Sequence, residues 1–137
     1  MTSPYKKVLM IGGTTGIGAG MTAKLVATGS FVIITGRHES TLKDAVVKHG
    51  AAKSSYARLD LQDVDTIPSW TTRIFEQHPD IDCVWLNAGV QMPANLLNGE
   101  TDMRKVQMET TVNYTSQVAL TQAVLPYLKD KQRAAII

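Results

Sequence analysis

A single cysteine, Cys83, stands in 137 residues, so no internal disulfide framework holds this chain together. Charge of one sign is scarce as well. Fourteen Lys and Arg against twelve Asp and Glu leave a net charge of +2, too little for a nucleic-acid footprint. No apolar run approaches the length that crosses a bilayer, and the opening "MTSPYKK" lacks the apolar core of a signal peptide. His38, His49 and His78 have no second ligand at metal spacing, so no metal is expected. There is no linker, repeat or low-complexity stretch, and the length allows one domain, residues 1–137. What remains, 44% hydrophobic and 19% charged residues, is ordinary for a folded cytoplasmic chain without a membrane or nucleic-acid partner.

What the sequence does have is alternation. "KKVLMI" (6–11) is strand-like and runs into a helix from about Gly16, with Met21, Leu25 and Val26 on one face and Gly29 placed to close it. "FVIIT" (31–35) is apolar on both faces, as a strand covered on both sides should be. A helix follows over about 40–49, with Leu42, Ala45 and Val46 inward. "SSYARLD" (54–60) alternates more and reads as a strand nearer the sheet edge. A third helix starts near Pro68 and ends before Pro79.

"DCVWLN" (82–87) is a fourth strand, in which Cys83 reads as a small core residue and Trp85 as packed under a helix. After the loop "AGVQMPANLLNGE" comes a long helical region, about 101–129, in one piece or two, with Val118, Thr121, Leu125 and Leu128 as its buried stripe. "AAII" (134–137) opens a fifth strand. Such alternation implies an α/β fold, a parallel sheet wrapped by right-handed crossovers. Ligands then bind outside the carboxyl ends of the strands.

At the carboxyl end of the first strand lies "IGGTTGIG" (11–18). Glycines let an anion approach the backbone, and a helix start offers unpaired N–H groups and a positive dipole end. The candidates for such contact are Gly12, Thr14, Thr15, Gly16, Ile17 and Gly18. The order is Gly12, three residues, Gly16, one residue, Gly18. It is not Gly-x-Gly-x-x-Gly, because position 21 is Met, and no Gly-Lys-Ser/Thr follows, so it is not a P-loop. Taken alone, the segment is either a pyrophosphate cradle or a tight turn with a close helix–strand contact.

The spacing resembles the cofactor loop of the short-chain dehydrogenase/reductase family, and four further stretches agree with it in order. "DL" (Asp60, Leu61) follows the third strand, where the family places an aspartate near the adenine ring. "LNAG" (86–89) ends the fourth strand, where the family has Asn-Asn-Ala-Gly, which makes Asn87, Ala88 and Gly89 candidate cofactor contacts. "VNYTSQVALTQAVLPYL" (112–128) looks like the family's long helix, in which Asn113 matches the active-site asparagine, and "AAII" matches the strand after it. Two positions depart. Ile11 replaces a threonine and puts one loop contact in doubt; Leu86 replaces the first asparagine and puts one hydrogen bond near the sheet in doubt.

The resemblance implies a Rossmann-like doubly wound sheet, order 3-2-1-4-5, incomplete at its carboxyl terminus, and an oxidoreductase that moves hydride between a nicotinamide and a ketone or secondary alcohol. The second strand ends "ITGRHES", with Gly36 where NAD-preferring relatives carry aspartate. Arg37 follows, and a guanidinium pairs well with a 2′-phosphate, so NADP(H) is expected over NAD(H). Ser40 and His38 offer further donors, and a solvated Arg37 is the alternative. Asp60 is an adenine contact or a turn former, and Asn113 a holder of the proton-relay water or a helix-interior polar residue.

The family's proton donor is a tyrosine with a lysine four residues later. Tyr127 and Lys131 have that spacing but close the long helix, at the amino ends of the strands. Tyr127 is 14 residues from Asn113, which at helical rise is roughly 20 Å. Tyr127 therefore reads as a helix-end packing residue and Lys131 as a solvated or carbonyl-capping charge. The serine, tyrosine and lysine of the reaction are expected beyond residue 137. This makes the chain the cofactor-binding part of a longer enzyme, inactive alone, with truncation, proteolysis and a short gene product all open. An apolar Ile, Val and Trp patch over the fourth and fifth strands then needs cover, from a missing carboxyl-terminal segment or a homo-oligomer partner. A non-catalytic nucleotide-binding or scaffold module is the alternative. Methyl transfer from S-adenosylmethionine shares the loop but favours an acidic residue after the second strand, against Gly36–Arg37.

Overall fold

The first two strand-like runs pair at the middle of the sheet. In the computed structural model, which describes residues 2–99 and 101–137, β1 (Lys7–Ile11) pairs in parallel with β2 (Phe31–Gly36) on one side and β4 (Cys83–Leu86) on the other. Met1 and the last residue of the long loop, Glu100, lie outside the described residues. β3 (Ser54–Arg58) extends the sheet beyond β2, and β5 (Ala135–Ile136) beyond β4, giving the order β3-β2-β1-β4-β5. This is the doubly wound order expected from right-handed crossovers.

Period-two alternation sends the central side chains into two cores. Leu9, Ile11, Ile33 and Val84 pack toward α3 (Ile67–Gln77) and α5 (Ser116–Leu128), with Trp70, Ile74, Phe75, Leu120 and Val124. Val8, Met10, Val32, Ile34 and Cys83 pack on the opposite side with Leu25 of α1 (Gly16–Ala27) and Leu42 of α2 (Glu39–His49). Ile33 and Ile34, neighbours on opposite faces, are both fully buried; each such side chain contributes about 1.5–3 kcal/mol. The Trp70 indole N–H donates to the Arg58 carbonyl at 2.8 Å and pins α3 to the end of β3.

The long helical region is one run in three parts: α4 (Met103–Thr110), a π-helical turn at Thr111–Thr115, and α5. Its buried stripe differs from the expected one. Val112, Ser116, Leu120, Val124 and Leu128 face the sheet, whereas Val118 and Leu125 are about half exposed at 51% and 50%. "SQVALTQAVLPYL" carries apolar residues all round, so periodicity could not choose a face, and the buried row includes a serine whose hydroxyl returns to the Val112 carbonyl at 2.7 Å. Only Leu128 of the expected stripe is buried.

The expected patch over β4 and β5 is also smaller than supposed. Cys83 and Val84 are fully buried. Trp85, half-buried, packs against the margin of the α1–α2 core, and only Ile137 of this group is exposed.

Candidate functional site

Four strand ends and one helix start meet at the carboxyl edge of the sheet. β1 hands over at Gly12, whose φ of +80° lies in the left-handed region, and a Cβ there would fall 2.8 Å from the Ala88 backbone. The Gly12 N–H donates to the Thr35 hydroxyl at 3.2 Å, and that hydroxyl donates on to the Met10 carbonyl at 3.0 Å. Gly13 N–H reaches the Thr35 carbonyl at 3.1 Å. From the other side, the Asn87 carboxamide donates to the Gly12 carbonyl at 2.9 Å. The loop is thus pinned between β2 and β4. Ile11, buried in the core, brings no hydroxyl to this loop; Thr35 supplies one from the neighbouring strand.

The four glycines do different things. A Cβ on Gly13 would run into Met10 and Thr22, and one on Gly18 would land directly on the Gly12 carbonyl oxygen, so both are packing positions. Gly16, at φ +52°, has nothing within 4 Å on its Cβ side and opens outward. It starts α1. Thr15 is the N-cap residue but makes no side-chain cap, and no acidic residue sits in the first turn. The N–H groups of Gly16, Ile17 and Gly18 therefore have no partner among the described residues.

In front of that turn lies a cleft of about 520 Å³. Gly12, Thr14, Thr15, Gly16 and Ile17 line it from the loop, Arg37 from the end of β2, Asp60 and Leu61 from the turn after β3, and Asn87, Ala88 and Gly89 from the end of β4. Gly18 and Asn113 do not line it. Gly18 lies beneath the loop. Asp60 faces the cleft while its Oδ1 accepts the Gln62 N–H at 3.0 Å, so it shapes the turn as well. At Gly36 the position of a Cβ is 3.3 Å from the Thr14 methyl, a tight contact that a side chain there would meet only if Thr14 shifted slightly.

Asn113 sits in the π turn and grips the chain after β4: its Oδ1 accepts the Val90 N–H at 2.8 Å and its Nδ2 donates to the Val90 carbonyl at 2.7 Å. It is the middle of a row. Gln117 donates to the Ala88 carbonyl at 3.2 Å, and Glu109 accepts the Met92 N–H at 2.8 Å. Residues 109, 113 and 117 hold residues 92, 90 and 88, alternate positions of one extended segment. A π turn adds a residue to the helical repeat and re-aims the side chains on either side of it. Thr35, Gln117 and Glu109 are functional supports that the sequence reading missed. A lone threonine closing an apolar strand and polar residues four apart around Asn113 were the available signals.

The Tyr127–Lys131 pair lies elsewhere. Tyr127 stacks on Phe75 with ring centroids 4.5 Å apart and 11° between planes, and its hydroxyl donates to Thr72 at 3.3 Å. Lys131 caps the Pro79 carbonyl at 2.6 Å, in the loop that enters β4. Both mark the amino end of the sheet. Cys83 is fully buried, and burial, with Asp82 adding, pushes its thiol up to about 12, so it is no nucleophile. Among the described residues no three His, Cys, Asp or Glu gather as metal ligands, and no helix is long and apolar enough to cross a membrane.

Comparison with known proteins agrees with this geometry. The family model described as short chain dehydrogenase matches residues 6–137. The dehydrogenase/reductase SDR family member 7B of Xenopus laevis is 28% identical over 95% of this chain and 42% of its own length. The agropine synthesis reductase of Rhizobium rhizogenes is 30% identical over 95% of this chain and 30% of that protein. Among solved structures, a short-chain dehydrogenase from Streptomyces avermitilis superposes with a TM-score of 0.83 at 25% identity, over 99% of this chain and 49% of that one. The chain spans less than half the length of these relatives.

Proposed function

Starting from a chain that belongs to the short chain dehydrogenase family, we propose that it binds NADP(H) in the carboxyl-edge cleft as part of an oxidoreductase acting on a ketone or secondary alcohol. The observation that carries this reading is the uncapped first turn of α1, whose N–H groups have no protein partner and stand beside the cleft. Those amides hold the pyrophosphate. Arg37 pairs with the 2′-phosphate, and Gly36 before it brings no carboxylate that would repel it. Asp60 and Leu61 take the adenine, and the Ala88–Gly89 backbone lies along the remainder of the ligand. When bound, the nicotinamide supplies hydride; the chain supplies position.

Asn113 fixes the segment at Val90 and keeps one lone pair of Oδ1 for a relay water. Tyr127 stays stacked at the far end of the sheet and gives no proton. By itself the chain therefore binds cofactor without turnover, in a soluble cytoplasmic setting, and acts with a partner segment or a second copy. The placement of Tyr127 also favours the second reading, a nucleotide-binding module without chemistry. Ketone reduction with NADPH once a segment carrying the serine, tyrosine and lysine is supplied to this chain would exclude that second reading.

Fluorescence titration with NADPH and NADH tests the first. Arg37→Asp weakens NADPH by about 10–100-fold, the loss of one charge-assisted pair, and leaves NADH bound at least as well. An unchanged ratio would remove Arg37 from the site.

A further inference from the structure

Beside Arg37 lies a second arginine. Arg58, the last residue of β3, stands directly across from Gly36 in the sheet register, and its Nε donates to the Arg37 carbonyl at 3.0 Å. One of five guanidinium N–H donors is thereby used and four remain. Both arginines are exposed, and among the described residues neither has a carboxylate within ion-pair distance. The carboxylate that could neutralise them is already engaged. Glu39 Oε1 takes the Lys43 ammonium at 2.8 Å and the Tyr56 hydroxyl at 3.2 Å. Lys43 first, then Tyr56 of β3 and, least, the charge of Arg58 hold that carboxyl below its usual range, so Glu39 bonds Lys43 and Tyr56 and acts on Arg58 only from beyond ion-pair distance.

We propose that Arg58 is a second specificity-determining residue that shares the cofactor's 2′-phosphate with Arg37. Its bond to the Arg37 backbone holds the Arg58 guanidinium against the residue that carries the other, at adjacent strand ends; Arg37 lines the cleft and Arg58 stands just outside its lining, so a doubly charged phosphate at the rim would be shared by both. This rests on the NADP(H) reading above, and deepens it from one cation to a pair.

The two ligands 2′,5′-ADP and 5′-AMP differ only in that phosphate, and titration of this chain with each separates the two ideas. Arg58→Met weakens 2′,5′-ADP about tenfold and leaves 5′-AMP unchanged; Arg58→Lys, which keeps the charge, recovers part of the loss. Thermal melts of each variant confirm that the fold is retained. If Arg58→Met leaves 2′,5′-ADP untouched while the native chain still prefers it over 5′-AMP, the inference is overturned and the NADP(H) reading stands. Equal weakening of both ligands also overturns it, because Arg58 then only props the backbone. A native chain that binds the two ligands alike removes the NADP(H) reading, and this inference with it.

Discussion

The same five strands finish in opposite ways at their two ends. At the amino end the polar groups that guide the chain into β1 and β4 are answered by the protein. The Asp82 carboxylate accepts the N–H groups of Lys6 and Lys7 at 2.8 and 3.0 Å, Lys7 pairs with Asp80 at 2.9 Å, and Lys131 caps Pro79. At the carboxyl end the hydrogen bonds of Thr35 and Asn87 hold the loop in shape, while the first-turn amides of α1 and the Arg37–Arg58 pair have no anionic protein partner among the described residues. Parallel topology places the helix N-termini at that edge, so positive ends gather there and want an anion. One edge is closed for stability. The other is left open.

The sharpest way to break this contrast is at Gly18, where a methyl group would meet the Gly12 carbonyl with no flexible side chain to give way. Gly18→Ala is expected to cost about 3 kcal/mol in urea unfolding and to abolish NADPH binding. Normal affinity in that variant would mean that the loop is not a rigid cradle. The complementary change lies at the closed end. Asp82→Ala leaves two backbone donors without their carboxylate and destabilises by about 1–2 kcal/mol, with NADPH affinity unchanged. A matching loss of affinity would show that the two ends are not independent.

The smallest effect is a pH dependence confined to the amino end. Burial, then Lys7, lowers the pKa of His78, and burial likewise lowers that of His49. Folded chain then binds fewer protons than unfolded chain, so this contribution is complete above the unfolded value of about 6.5 and is lost as pH falls through the folded values. Asp80, lowered chiefly by its bond to Lys7, contributes above its ordinary value and loses that contribution only in stronger acid. Melting temperature should hold steady above about pH 6.5 and decline below it. His78→Asn flattens part of the decline, and His49 keeps the rest. A melting temperature that rises on acidification would reverse the sign.

Much of this was readable beforehand, for local reasons. "KVLMI" reads as a strand and "FVIIT" as one covered on both faces, both became buried in the centre of the sheet, and the glycine run fell where β1 turns into α1. Eleven of the thirteen candidate residues came together as one wall of the cleft, because strand ends in a parallel sheet share an edge. What failed was the face of α5. Leu125 and Val118 are the more hydrophobic choices, yet Ser116 is buried in their place, and the π turn before it set the rotation. The grip of residues 109, 113 and 117 on residues 92, 90 and 88 was hidden for the same reason.

By itself the amino-acid order determined the succession of strands and helices, their handed winding, and the position of a glycine-rich turn at the first strand's end, since each depends on neighbours within a few residues. The tertiary structure alone decided which glycines are filled in and which is open, that Gly12 meets Asn87, 75 residues away, and that Tyr127 spends its ring on Phe75. Such contacts are chosen by how whole elements pack. No local pattern encodes them, because burial of one face excludes another only after the sheet has formed.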